Sequence, residues 1–201
     1  FPEKLRTYIR AGYPIIYLVT AEEDRAIELI ATAISEGEMS RRTPYVWSVS
    51  RGLCTLDFKA LERNRTADPK KILPFLLEIK EAGVFILEDF HFFLDERSPI
   101  APLAIRQLRD IAGPFKGSRK TLILLSSVLK IPPELEKDIT VLDLEMPDEG
   151  ELAAILAETI EQVKDHPRVE INLEGDSKER GVKAISGLTR TEAENALAKV
   201  I

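Results

Sequence analysis

The sequence predicts an α/β fold, a parallel sheet of about five strands with helices on both faces and then a small helical, lid-like subdomain. Three observations predict it. Apolar runs of strand length alternate with longer amphipathic stretches, the pattern of βαβ units. Val84-Phe85-Ile86-Leu87 and Leu122-Ile123-Leu124-Leu125 are apolar at every position, as in strands covered on both faces. After Pro147 the pattern changes to helical segments.

The elements follow in order. Pro14-Ile15-Ile16-Tyr17-Leu18-Val19-Thr20 is a buried strand, rich in β-branched and aromatic residues. Residues 21–36 form a helix with Ile27, Ile30, Ala31 and Ile34 on one face. Tyr45-Val46-Trp47-Ser48-Val49-Ser50 alternates apolar and polar side chains, so it lies nearer the sheet edge, and Arg51-Gly52 ends it. Residues 53–68 are polar and irregular and read as a loop. Residues 69–82 form a helix, with Pro69 suited to the first turn and Pro74 placed to kink or restart it. Residues 83–89 are a central strand ending in two acids. Residues 99–112 are a helix closed by Gly113-Pro114. Residues 121–127 are a second central strand ending in hydroxyls, and residues 140–144 a further strand. The α/β domain is thus assigned to residues 1–147 and the helical subdomain to 148–201. In the latter, a helix over 148–165 is capped by Asp148. A polar stretch, 169–176, follows, and then helical segments over 177–186 and 191–201 split by Gly187. The chain starts at Phe1 and stops inside a helical pattern, so it is expected to be a piece of a longer protein.

Composition narrows the function. The 201 residues are 44% hydrophobic and 31% charged, with a formal net charge of -6. A nucleic-acid binder carries a basic excess, so nucleic acid is not the expected partner. Lys70-Lys71 and Arg63-Asn64-Arg65 are the nearest basic candidates, and such pairs are ordinarily solvated surface. The single cysteine, Cys54, cannot form an internal disulfide, and His91 and His166 are too few to complete a metal site around it. A reduced compartment, cytoplasm or plastid stroma, fits. No apolar run approaches the ~18 residues that span a bilayer.

Ligands of open parallel sheets bind beyond the carboxyl ends of the strands. The first strand meets its helix at Thr20-Ala21-Glu22-Glu23-Asp24-Arg25. A phosphate loop needs glycines whose N–H groups wrap phosphate, a lysine for the outer phosphates and a Ser or Thr for Mg²⁺. Instead, Thr20 and Glu23 have capping-box spacing, and Glu22, Glu23 and Asp24 occupy the positive end of the helix dipole. A triphosphate would meet like charge there. At the central strand end, Glu88-Asp89 matches the arrangement in which one acid holds Mg²⁺ and its neighbour orients water, with the usual Asp–Glu order swapped. Ser126-Ser127 suits a position that senses a terminal phosphate. His91, flanked by Phe90 and Phe92, reads as a packed surface histidine, and His166 as a helix cap. No arginine lies between Val128 and Thr140 to serve as an arginine finger.

The strand order, the Glu88-Asp89 pair, the Ser126-Ser127 pair and the run Ile139 to Glu149 resemble the AAA ATPase module, a P-loop NTPase-like fold. Ile9 to Tyr17, Trp47 to Leu53, Leu125 to Leu135 and Gly187 to Leu197 narrow the resemblance to the "hypothetical chloroplast frame" AAA proteins of cyanobacteria and plastids. In that family a degenerate AAA-like domain precedes a complete one. The resemblance implies that ATP and Mg²⁺ bind beyond Ile201. It implies no catalytic, metal or cofactor role here, with Glu88, Asp89, Ser126 and Ser127 as remnants of a nucleotide site. The implied partner is the downstream AAA domain of the same chain, with other subunits or a recruited protein as further candidates. Two alternatives stand beside this one. The first is a nucleotide-binding ATPase domain with an unconventional site at Glu88 and Asp89, in a deep cleft with basic residues such as Arg25. The second is a nucleic-acid-associated subunit like those of clamp loaders, which would need a contiguous basic face.

Overall fold

The computed structural model describes residues 1–163 and 177–200. The chain divides into two units, Phe1–Leu144 and Glu145–Ile201. The elements of the first are α1 (Pro2–Arg10), β1 (Ile15–Val19), α2 (Glu23–Ile34), β2 (Thr43–Ser48), β3 (Gly52–Thr55), α3 (Arg63–Thr66), α4 (Pro69–Glu78), β4 (Gly83–Glu88), α5 (Ala101–Phe115), β5 (Lys120–Ser126) and β6 (Ile139–Asp143). The second contains α6 (Glu149–Val163), α7 (Ser177–Ala184) and α8 (Arg190–Val200).

The sheet has six strands, not five, in the order β3-β2-β4-β5-β1-β6. All neighbours are parallel except β2 and β3, which form an antiparallel hairpin. The extra strand comes from the segment read as a loop. Arg51-Gly52 does not end structure but turns it: Gly52 adopts φ +74, pairs with Ser48 and opens β3. A Cβ there would lie 2.8 Å from the Thr66 hydroxyl, so space as well as backbone angle restricts the position. The outer edge of β3 is covered by its own continuation, with Leu61 N–H donating to Leu53 C=O at 2.8 Å and Thr55 N–H to Lys59 C=O at 3.1 Å.

Strict alternation divides the core between the two faces of the sheet. Ile15, Tyr17, Phe85, Leu87, Leu122 and Leu124 pack toward α4 and α5, with Trp47 and Phe115. Ile16, Leu18, Val84, Ile86, Ile123 and Leu125 pack toward α1 and α2. Each central strand therefore reads as a continuous apolar run. Helix α1 was not foreseen: only Leu5 and Ile9 of it are buried, too sparse a stripe to stand out. On α2 the buried residues are Arg25, Ala26, Ile30, Ala33 and Ile34, so the stripe is rotated from the expected one and Ile27 and Ala31 lie at its margin.

Two prolines do not break their helices. Helix α4 runs through Pro74 and ends at Glu78, short of the predicted Ala82. Helix α5 continues through Gly113-Pro114 to Phe115, where the sequence suggested closure. Phe115 is fully buried, and Lys116 N–H still bonds Ala112 C=O at 3.0 Å, so core packing holds the last turn. In the second unit Leu152, Ile155, Leu156, Val182, Ile185, Ala193 and Leu197 form a separate core. Asp148 caps α6 reciprocally with Glu151, through bonds of 2.9 and 3.1 Å. The polar stretch 169–176 and His166 lie outside the described residues.

Candidate functional site

The carboxyl ends of β1, β4 and β5 converge because these strands are neighbours in parallel register. β1 passes into α2 through Thr20, Ala21 and Glu22. Thr20 N–H bonds Ser126 C=O at 2.9 Å, tying this turn to the end of β5. The predicted capping box is replaced by a tighter turn. The Thr20 hydroxyl accepts from Glu22 N–H at 3.0 Å, and Glu22, not Thr20, is the N-cap residue. Glu22 in turn pairs with Arg25 at 3.0 Å, with both side chains almost wholly buried. Arg25 is thus engaged by an acid of its own helix start.

Glu88, at the end of β4, is buried with 8% of its side chain exposed and forms an ion pair with Arg51 from the β2–β3 turn. Arg51 was not singled out by the sequence. The bond to Glu88 holds its guanidinium above the ordinary pKa, against some loss from burial. Asp89 takes a left-handed backbone, φ 54 and ψ 25, which Asp tolerates better than most residues. This turns the chain into the helical turn Phe90–Phe93, placing Phe90 in the core and leaving Asp89 about half exposed.

Ser126 is buried, and its hydroxyl lies 2.7 Å from Nδ1 of His91 and accepts from Val128 N–H at 3.2 Å. Asp89 lies 3.4 Å from the same Nδ1. A nucleophile–base–acid relay uses the two different nitrogens of the imidazole, so this cluster is not one. Ser127 is exposed in the following loop. Tyr17, buried on β1, donates to Val128 C=O at 2.6 Å and accepts from Lys130 N–H at 3.2 Å, which fixes that loop. Burial raises the Tyr17 pKa.

Glu23 shows the electrostatic character of the place. Its pKa is raised, first by burial and then by the nearby charges of Glu88, Asp89 and Asp24. A raised carboxylate pKa favours folding below the unfolded-state value, and that contribution is lost as pH rises through the folded-state value. Glu23→Gln is therefore expected to raise the melting temperature at pH 7, and the gain is expected to vanish below about pH 4. Thermal melts across pH check this, and a variant no more stable than the parent at pH 7 contradicts it.

A cleft of about 420 Å³ adjoins Glu88, between α2 and the β2–β3 hairpin. Its lining includes Arg51 and Asp24 but is largely apolar, through Ile27, Val46, Leu56 and Phe58. Neither Asp89 nor Arg25 lines it, so it is not the paired-acid cleft expected for an unconventional nucleotide site. Cys54 sits in its wall, buried on β3. Among the described residues no group of His, Cys, Asp and Glu is placed to hold a metal ion, and no helix is long and apolar enough to cross a membrane. Of the expected basic candidates, Arg65 pairs with Glu62 at 3.0 Å and Glu78 at 2.5 Å, Arg63 donates to Ser50 C=O at 3.1 Å, and Lys71 lies 3.9 Å from Asp68.

The chain is similar to known proteins in sequence and in fold. Residues 1–144 match the model of the N-terminal domain of SpoVK-like AAA ATPases, and residues 150–201 match that family's second domain. The chain is 30% identical over its whole length to the AAA domain-containing protein ycf46 of Guillardia theta, of which it covers 37%. It is 28% identical to that of Trieres chinensis, of which it covers 38%. The chain therefore spans little more than a third of these relatives. Among solved structures, the FIGL-1 AAA domain in complex with ADP aligns over 96% of this chain and 61% of its own, with a TM-score of 0.57 at 13% identity. A DNA replication initiation factor aligns over 98% of this chain and 59% of its own, also with a TM-score of 0.57 at 13% identity. These structural likenesses show an AAA fold. The chain belongs to the SpoVK-like AAA ATPase family, with its α/β unit as the N-terminal domain.

Proposed function

We propose that this chain is a non-catalytic AAA-like module, kept for what it contacts, that serves or regulates an ATPase domain elsewhere in the same protein. Glu88 carries this reading. The acid in the metal-holding position is already neutralised by Arg51, and the helix start that would cradle phosphate is closed by Thr20, Glu22 and Arg25. Freeing Glu88 for Mg²⁺ means breaking an ion pair whose carboxylate is buried, and Glu23 and Asp89 add negative charge where a triphosphate would sit. Glu88, Asp89, Ser126 and Ser127 are then a remnant of a nucleotide site rather than a working one. ATP and Mg²⁺ belong to the remaining two thirds of the longer protein, with an adjoining AAA domain as the first partner. The expected setting is the cytoplasm or plastid stroma.

Hydrolysis of ATP by the longer protein tests this. With Glu88→Gln the rate is expected to stay within about twofold of the parent, whereas loss of an acid acting on the reacting groups costs about 10²-fold or more. A loss of that size on Glu88→Gln would move the chemistry back into this chain and revive the unconventional site.

A further inference from the structure

The opposite end of the sheet carries a cluster that the nucleotide-like end does not explain. Arg41 and Arg42 precede β2, and Arg119 precedes β5. With Gly37, Glu38 and Met39 they line a cleft of about 350 Å³. Both arms of the cleft are pinned by backbone. Arg42 N–H donates to Met39 C=O at 2.9 Å, and Arg119 C=O accepts from Gly83 N–H at 3.1 Å. Met39 is anchored in the core beneath α2. The arginines are thus held near one another by the fold.

Their partners are missing in a specific way. Among the described residues, none of the three has a carboxylate within ion-pair distance. Nη1 of Arg42 is buried and has no hydrogen-bond partner. A buried donor left unsatisfied is costly, more so when charged, so native proteins rarely keep one idle. Burial, and then the like charge of Arg119, lower the Arg42 pKa. Guanidinium groups gathered against their own repulsion are a site for an oxyanion, which their planar forks grip in pairs of hydrogen bonds.

We infer that the cleft of Arg41, Arg42 and Arg119 is a binding site for a phosphate-bearing ligand. Charge favours phosphate over a lone carboxylate: three guanidinium groups against the one carboxylate of Glu38 leave two positive charges, matched by a dianion. Size agrees, because the cleft lies at the small end of the range of about 300–1,000 Å³ for ligand pockets. The phosphate arrives either on a small molecule or on a phosphorylated residue of a protein. The site is independent of the Glu88 region, so the fate of one reading does not decide the other.

Melting temperature and calorimetric titration of this chain, at constant ionic strength set with chloride, test it. Inorganic phosphate, pyrophosphate and a phosphoserine peptide are the probes. Wild type is expected to gain stability with at least one probe, and Arg41→Ala/Arg119→Ala to bind that probe about tenfold or more weakly. A response to phosphate or pyrophosphate assigns the small-molecule source, and a response confined to the peptide assigns the protein-borne one. In chloride alone, Arg42→Met is expected to melt above wild type, since it removes a partly buried charge whose Nη1 has no partner while keeping the stem. The inference is overturned if no probe stabilises wild type, or if the double variant responds equally. It is also overturned if Arg42→Met melts below wild type in chloride, which would make Arg42 a structural residue.

Discussion

Replacing Trp47 with Ala is expected to lower the unfolding free energy by about 3–5 kcal/mol. Trp47 is fully buried on β2, the strand that joins the hairpin to the central sheet. Its ring meets the edges of Phe90 and Phe93, at centroid distances of 5.7 and 6.2 Å. Those two aromatics sit on the turn set by Asp89, so the indole couples the hairpin to the end of β4. Its Nε1 donates to Thr66 C=O at 2.6 Å. Truncation therefore opens a cavity and strands a buried carbonyl at once. Trp47→Phe keeps most of the packing and is expected to cost less. Urea denaturation followed by circular dichroism reads both, and a Trp47→Ala loss below about 1 kcal/mol would show that the hairpin does not depend on this contact.

Arg51→Met is expected to destabilise the chain by about 1–3 kcal/mol, because it leaves the buried Glu88 without its partner. The value sits below that for a fully buried pair because the Arg51 side chain is 42% exposed and water screens part of the interaction. Arg51→Met/Glu88→Leu is expected to recover most of the loss, since replacing both charges removes the desolvation cost as well as the attraction. Chemical denaturation at pH 7 of the two single variants and the double variant gives the coupling. If the double variant is as unstable as the sum of the singles, the pair contributes nothing and Arg51 does not neutralise Glu88.

The physics of local patterns explains what could be read from the sequence. β1, β4 and β5 were legible because both faces of each are covered, which makes their central positions a continuous apolar run. β3 was not: four residues, Gly52–Thr55, offer no period, and the glycine that turns the hairpin resembles a terminator. Helix α5 outran its predicted stop because burial of Phe115 outweighs a Gly-Pro signal near a helix end. At the candidate site the residue types were visible and their partners were not. Glu88 could be picked out as an acid at a strand end, but Arg51 lies 37 residues away and no local spacing connects them. His91 and Ser126, 35 residues apart, meet for the same reason, through the parallel register of β4 and β5. The arginine cleft lay further out of reach. Arg41 and Arg42 are adjacent in sequence, but only the fold brings Arg119, 77 positions beyond Arg42, to the same cleft.

In the proposed reading, the phosphate position of this AAA-like domain is filled by its own side chains. Calorimetric titration with ATP and Mg²⁺ tests it most directly, performed on the Arg41→Ala/Arg119→Ala chain so that the arginine cleft adds no heat. No saturable binding tighter than about 1 mM, an affinity of about 4 kcal/mol, is expected. Micromolar binding that is lost on Glu88→Gln would contradict it and make the end of β4 a working nucleotide site.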